Sequence, residues 1–228
     1  MKRYERQTAL PEIGEAGQQR LARARVLVVG VGGLGSLLAL YLAAAGVGTI
    51  GLVDDDCVAL SNLQRQVLYD EAHLGCRKAE AAAGRLRALN GSICVEPYPF
   101  RLTADNARAL LERYDVVADG CDNAETRYLL SDLCEALGKP YVYAAIQGFE
   151  GQVAVFDTTR SPATYRSLYP QAPAPSAAQR AVVGVTPAVV GSVEASEVLK
   201  LICGYGEPLY GRLWTIDLRT LSSFIVEL

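Results

Sequence analysis

The stretch RVLVVGVGGLGSLLALYLAAAGVGTIGLVDDD, residues 25–56, decides the fold. After Arg25, residues 26–29 form a continuous, mostly β-branched apolar run. That texture belongs to a strand buried on both faces of a parallel sheet. Gly30-x-Gly32-x-x-Gly35 follows at once. Ser36 to Ala45 then reads as a buried helix that stops near Gly46, and Thr49 to Asp54 reads as a second strand. The whole is one βαβ unit. Glycines at such a turn let the backbone approach a phosphate, and the helix N-terminus behind them offers free N–H groups and a favourable dipole. The acidic run Asp54-Asp55-Asp56 ends the second strand, about twenty residues after the first glycines, where a carboxylate accepts hydrogen bonds from ribose hydroxyls. This unit predicts a nucleotide site and leaves NAD and ATP both open.

Working outward, the alternation continues. Helix is expected over 75–90, strand over 93–98, helix over 105–112, strand over 114–119, helix over 123–137 with Gly138 and Pro140 as stop signals, and strand over 141–146. Such alternation predicts an α/β fold, a Rossmann-like, doubly wound, mostly parallel sheet. After Gln147 the pattern changes. Residues 151–157 read as a strand, 161–180 form a Pro-, Ala- and Ser-rich stretch expected to be a long mobile crossing loop, and 186–203 read as a helix. Residues 210–217 and 222–227 alternate like antiparallel strands that extend the sheet.

The second constellation favours a triphosphate. Ser61-Asn62-Leu63-Gln64-Arg65-Gln66 follows the acidic run, and Lys78 opens the next helical stretch, in a chain with only four lysines. A triphosphate needs its charge offset, by the planar fork of an arginine and the point charge of a lysine. A third motif, Asp119-Gly-Cys-Asp122-Asn123, lies at the end of a strand. There Asp122 fits equally a Mg²⁺ ligand and, like Asn123, a helix N-cap.

Composition narrows the classes further. The 228 residues are half hydrophobic and carry a net charge of −3, with mean hydropathy +0.15 and pI near 5.3. The balance suits a chain with a sizeable core and gives no support to nucleic-acid or anionic-membrane binding. The six cysteines (Cys57, Cys76, Cys94, Cys121, Cys134, Cys203) form no C-x-x-C pair, and the single histidine, His73, excludes a His-rich metal site. The polar N-terminal stretch lacks the apolar core of a secretory signal, so reduced thiols and a cytoplasmic location are expected.

These residues carry a resemblance. Arg3-Tyr4-x-Arg6-Gln7, LPEIGEAGQQ, VGVGGLG, LSNLQRQVL, D-x-x-D-N and GEPLYGRLWTID together resemble the MoeB/ThiF/HesA branch of the ubiquitin-activating-like enzymes, nearly end to end. The resemblance implies ATP-dependent adenylylation of the C-terminal glycine of a small ubiquitin-like sulfur carrier ending in Gly-Gly. It implies a single adenylation domain: an N-terminal helical arm (1–24), a nucleotide-binding core (25–146), a crossing loop (158–186) and a C-terminal helix and strands (187–228). It places Gly32, Gly33 and Gly35 against the nucleotide and the Asp54 and Asp56 carboxylates at its ribose end. Asn62, Arg65, Gln66 and Lys78 would hold the triphosphate, and Asp122 would position Mg²⁺. Arg6 would reach the neighbouring subunit's site in a homodimer.

Two departures stand out. Many relatives hold zinc with two C-x-x-C pairs, and here Thr164, Ser167 and Gly206 occupy expected cysteine positions, with Cys203 alone retained; no zinc is expected. Many also have a crossing-loop cysteine, where this chain has Ala177, which points to a separate sulfur donor or free sulfide. Cys57 and Cys121 are expected to be small apolar fillers beside strand ends, and His73 a surface residue instead of a general base. Competing readings are a tRNA-modification dehydratase of the same fold, which the acidic pI disfavours, and a nucleotide-binding dimer without catalysis, which the intact charged set disfavours. An NAD dehydrogenase ranks behind both, since no acid–base pair for one is visible.

Overall fold

The computed structural model describes residues 2–171 and 181–228. Position 177 therefore lies outside the described residues. A short N-terminal arm carries α1 (Glu5–Thr8) and α2 (Gly14–Arg23). The core then runs β1 (Arg25–Val29), α3 (Gly33–Ala45), β2 (Thr49–Val53), α4 (Lys78–Leu89), β3 (Cys94–Tyr98), α5 (Ala104–Leu111), β4 (Val116–Asp119), α6 (Ala124–Leu137) and β5 (Tyr141–Gln147). It closes with β6 (Glu150–Phe156), α7 (Tyr165–Leu168), α8 (Val185–Cys203), β7 (Arg212–Asp217) and β8 (Ser222–Glu227).

One eight-stranded sheet orders these strands β3-β2-β1-β4-β5-β6-β7-β8. The first five are parallel, and β6, β7 and β8 extend them antiparallel. The mostly parallel sheet with an antiparallel C-terminal extension is thus the observed architecture. The period-two pleat explains why β1 is apolar from Val26 onward: Val26 and Val28 face a core half built with Leu38, Leu86 and Val190, while Leu27 and Val29 face one built with Leu111, Leu130 and Tyr165. Hence α3, α4 and α8 cover one face and α5, α6 and α7 the other.

Two local results differ from the expected boundaries. Helix α3 starts at Gly33, inside the glycine turn, because Gly32 already serves as its N-cap residue. The crossing stretch is not a bare loop. Thr164-Tyr-Arg-Ser167 forms a capped helical turn in which the Thr164 N–H donates to Ser167 Oγ (3.0 Å) and the Ser167 N–H to the Thr164 carbonyl (3.0 Å). Arg166 pairs with Asp132 through two bonds of 2.8 and 2.7 Å, which ties α7 to α6.

Strands β4 and β5 pair only at Val117↔Tyr141 and Ala118↔Val142. Beyond that point β5 follows β6 out to Gln147. A crevice therefore opens past the carboxyl end of β4, the place where open α/β sheets build their sites.

Candidate functional site

The glycine turn, the end of β2 and the end of β4 share one wall of a cavity of about 1450 Å³. The turn is made compact by backbone contact without intervening side chains. A Cβ on Gly35 would stand 1.9 Å from the Gly30 carbonyl oxygen, and one on Gly120 would stand 2.1 Å from the same atom. Gly30 itself has φ +88°, the left-handed region that favours glycine. The β1–α3 turn and the β4 end are thus interlocked.

The cavity wall includes Gly32, Gly33, Asp54, Asp56, Asn62, Arg65, Gln66, Lys78 and Asp122, so the structure gathers most of the expected set in one place. Gly35 is the exception: it is buried against Gly30 and is not part of the wall, and its lack of a side chain allows that close backbone packing. Gly32 does present backbone to the cavity, where a Cβ would meet only Gln66 Nε2, at 3.6 Å. Arg6 is exposed on α1 and forms no part of this chain's own cavity wall.

Each polar side chain has a local reason for its place. Asp54 Oδ2 accepts the Val31 N–H (2.8 Å) and Oδ1 the Asp56 N–H (2.9 Å), which pins the glycine turn to the end of β2. Burial raises its carboxyl above the usual carboxylate range, and Lys78 with these two N–H groups partly offsets the rise. The carboxylate keeps lone pairs for further donors. Lys78 begins α4 and buries its stem, and its Nζ donates to Asp56 Oδ2 at 2.8 Å. Arg65 Nη1 is held by the Ser61 carbonyl at 3.0 Å, and Asn62 Oδ1 accepts the Ala59 N–H at 3.0 Å. Gln66 is buried, and its Oε1 has no partner among the described residues.

The two readings of the β4 end separate cleanly. Asn123 is the N-cap of α6, accepting the Thr126 N–H at 2.9 Å. Asp122 is thereby spared that role and stays exposed on the cavity wall. An exposed carboxylate beside a phosphate-sized cradle, with a buried orphan amide oxygen nearby, is a donor set that fits Mg-ATP. The Asp54, Asp55 and Asp56 carboxylates also lie within 4.8 Å of one another.

A second arm of the cavity was not anticipated. It runs from Tyr143 past Gln152, Tyr165 and Tyr169 to Thr215 and Phe224 on the C-terminal strands. Gln152 Nε2 donates to Tyr143 Oη (2.6 Å) and Tyr169 Oη (2.7 Å), and Tyr128 Oη donates to the Tyr169 carbonyl (2.6 Å). The arm is walled by aromatic rings and lined with hydroxyls. Its signal in the sequence was the density of tyrosines from 128 to 169, a pattern that also suits ordinary core.

Cys121 and Cys203 are buried, whereas Cys57 is exposed beside the acidic run and so does not serve as the apolar filler expected of it. The Cys121 thiol donates to Asp119 Oδ1 (2.6 Å), and burial with the Asp119 charge pushes it well above the ordinary thiol range. His73 Nδ1 sits 2.6 Å from Asp70 Oδ1 in a short 3₁₀ turn. Cys203 is buried against the Gly17 carbonyl. Among the described residues, no helix is long and apolar enough to cross a membrane.

A family model described as the ThiF family matches residues 4–228. The sulfur carrier protein adenylyltransferase of Thermus thermophilus is 50% identical over 225 residues, 95% of this chain and 83% of that protein. The probable adenylyltransferase/sulfurtransferase MoeZ of Mycobacterium tuberculosis is 47% identical over 96% of this chain and 58% of its own length. The adenylyltransferase and sulfurtransferase MOCS3 of Mus musculus is 49% identical over 94% of this chain and 47% of its own length. The chain thus spans most of the first and about half of the other two. The crystal structure of E. coli MccB with MccA-N7isoASN shares the fold, with a TM-score of 0.86 at 22% identity over 99% of this chain and 72% of that one.

Proposed function

The chain belongs to the ThiF family, and on that premise we propose that it is an ATP-dependent adenylyltransferase for the C-terminal glycine carboxylate of a ubiquitin-like sulfur carrier. The observation that carries the reading is the junction in one cavity of a phosphate cradle at Gly32 and Gly33 with an aromatic, hydroxyl-lined arm at Tyr143, Gln152 and Tyr169. The first suits a nucleotide. The second suits an extended peptide tail with no side chains, whose amides pair with hydroxyls along the wall.

The reaction asks little covalent chemistry of the protein. The tail carboxylate, already ionised at neutral pH, attacks the α-phosphorus, the bond to the β-phosphate breaks, and pyrophosphate leaves. Positioning and charge stabilisation carry the step, and no side-chain nucleophile takes part. Lys78 and Arg65 offset charge on the leaving phosphates, Gln66 and Asn62 donate amide hydrogens, and Asp54 with Asp56 anchors the ribose end. The cradle is acidic: Asp54, Asp55, Asp56 and Asp122 line the cavity with Arg65, Lys78 and Arg101 as this chain's own counter-charge, while Arg127, also on the wall, is committed to Asp119. That imbalance argues for two further cations. Asp122 would hold Mg²⁺, which supplies charge neutralisation at the phosphates. Arg6, exposed and outside its own chain's cavity, would serve the partner subunit of a homodimer.

The body of the carrier is proposed to sit on the exposed apolar side chains of Phe224 and Val226, which share one face of β8 beside the mouth of the aromatic arm. A cytoplasmic location, a separate sulfur donor and independence from zinc complete the proposal. Carrier-dependent ATP–pyrophosphate exchange tests it, with candidate carriers ending in Gly-Gly. Exchange that requires a carrier and collapses in Asp122→Ala and Arg65→Ala supports the reading. ATP binding without exchange for any carrier refutes it.

A further inference from the structure

Below the cavity floor, where β4 and β5 part, lies a buried group of side chains that the adenylylation chemistry does not use. Asp119 is fully buried at the end of β4. Its Oδ2 accepts from Tyr141 Oη (2.6 Å) and Arg127 Nε (3.1 Å), and its Oδ1 accepts from the Cys121 N–H (2.9 Å) and thiol. Arg127 also donates to the carbonyls of Cys121 (2.8 Å) and Ala144 (3.2 Å), and its guanidinium lies over the Tyr143 ring. The Asp119 carboxylate and the Arg127 cation are thus matched to each other.

Glu194 approaches the same point from α8, on the other face of the sheet. It is fully buried. Its Oε1 accepts the Asp119 N–H at 2.9 Å, the backbone donor stranded where β5 turns away. Its Oε2 has no partner among the described residues. No cation is assigned to it, since the nearby guanidinium is committed to Asp119, whose own charge repels a second carboxylate. A buried acid in that position takes up a proton in preference to staying charged.

We propose that Glu194 is a positioning residue for the adenylylation step: as a neutral carboxylic acid it holds the Asp119 backbone, and through it the Gly120–Asp122 turn, at the mouth of the crevice. The inference rests on the function proposed above. The groups facing Glu194 agree with it. Burial and the Asp119 charge push its carboxyl well above the usual range, while the Asp119 N–H and Arg127 pull the other way. Tyr141 and Cys121, the other titratable groups bonded to Asp119, are themselves driven upward by burial and stay neutral. The working form is the protonated one, so it is lost as pH rises through the raised value. A charge formed there repels Asp119 and shifts the turn that carries Asp122.

The test compares wild type with Glu194→Gln and Glu194→Ala. Glu194→Gln keeps the shape and fixes the neutral state. Its turnover at pH 7 stays within about twofold of wild type, and it retains activity at alkaline pH where wild type declines. Glu194→Ala loses roughly 10–100-fold in kcat through misplacement of the turn, with KM for ATP little changed. An infrared difference spectrum of wild type against Glu194→Gln, which needs no carrier, shows a protonated carboxyl band only in wild type. Absence of that band overturns the neutral-acid assignment, whatever the activity. Glu194→Gln as impaired as Glu194→Ala, or sharing the wild-type alkaline limb, overturns the positioning role. A band present while wild type exchanges pyrophosphate with no carrier overturns the adenylylation reading and the role that rests on it.

Discussion

Replacing Lys78 by methionine removes a cation from the phosphate cradle and keeps the buried stem in place. The ion pair it makes with Asp56, Lys78 Nζ to Asp56 Oδ2 at 2.8 Å, joins a side chain 7% exposed to one 69% exposed. With one partner so open to water, that pair is worth only about 0–1 kcal/mol. The same ammonium against a phosphate oxygen inside the cavity is worth far more in the transition state, on the order of the 10²–10³-fold that a single preorganised donor supplies. Lys78→Met is therefore expected to lower carrier-dependent pyrophosphate exchange by roughly 10²–10³-fold. Part of that loss comes from Asp56, whose carboxylate is left uncompensated beside the triphosphate. Adding Asp56→Asn to Lys78→Met removes this repulsion and should restore about tenfold, a coupling of about 1.4 kcal/mol. Asp56→Asn alone should cost little in charge terms, because Lys78 remains. The assay is ATP–pyrophosphate exchange across the four proteins of the cycle. Exchange in Lys78→Met within about threefold of wild type would refute the assigned role. So would a double variant whose loss equals the product of the single losses, since the two charges would then act independently.

Three further outcomes follow from the same geometry. Gly32→Ala should fold with an unchanged melting temperature and lose ATP affinity, because its Cβ enters the cradle; Gly35→Ala should instead be destabilised, its Cβ meeting a carbonyl oxygen at 1.9 Å. Thermal melting and nucleotide titration separate the two. Asp122→Asn should abolish exchange without a change in melting temperature, whereas Asn123→Ala should lose about 1 kcal/mol of stability with its helix cap, read by denaturant unfolding. Iodoacetamide at pH 8 should modify the exposed Cys57, Cys76 and Cys94 and spare the buried Cys121, Cys134 and Cys203. Burial raises all three buried thiols, Cys134 to about 12, so they stay protonated there. Mass spectrometry of the native protein reads the pattern, and labelling of Cys121 would contradict the packing at the β4 end.

The fold was legible because its signals are local. A buried β-branched run, a glycine turn and an apolar helix occur in sequence order within residues 25–56, and the alternation after them needs no long-range information. The nucleotide end of the site was legible for the same reason, since Asp54, Asn62, Arg65 and Lys78 all follow β2 closely. Asp122 was readable only as an alternative to Asn123, because capping and cation binding favour the same residue types at the same place. The packing of Gly35 on Gly30 was not readable, since a motif does not say which of its glycines lines a cavity and which faces another backbone. Asp119, Arg127 and Glu194 were invisible as a group: they come from β4, α6 and α8, and only the folded sheet brings them together. One trace of Glu194 did exist. It shares the buried face of α8 with Val190, Gly191 and Val198, where a carboxyl is out of keeping with its neighbours.

The backbone contact among Gly30, Gly35 and Gly120 sets a fixed gauge between two halves of the site. No side chain stands between the phosphate turn and Gly120, the residue that follows β4 and leads into Asp122, so their separation is the thickness of bare main chain. A side chain elsewhere can be lengthened or trimmed to retune a distance; here there is nothing to trim, and any addition forces the layers apart. The span between the cradle and Gly120 is accordingly closed to adjustment at the contact itself, and variation in what this protein accepts must arise at the other end, in the aromatic arm and the strands beyond it.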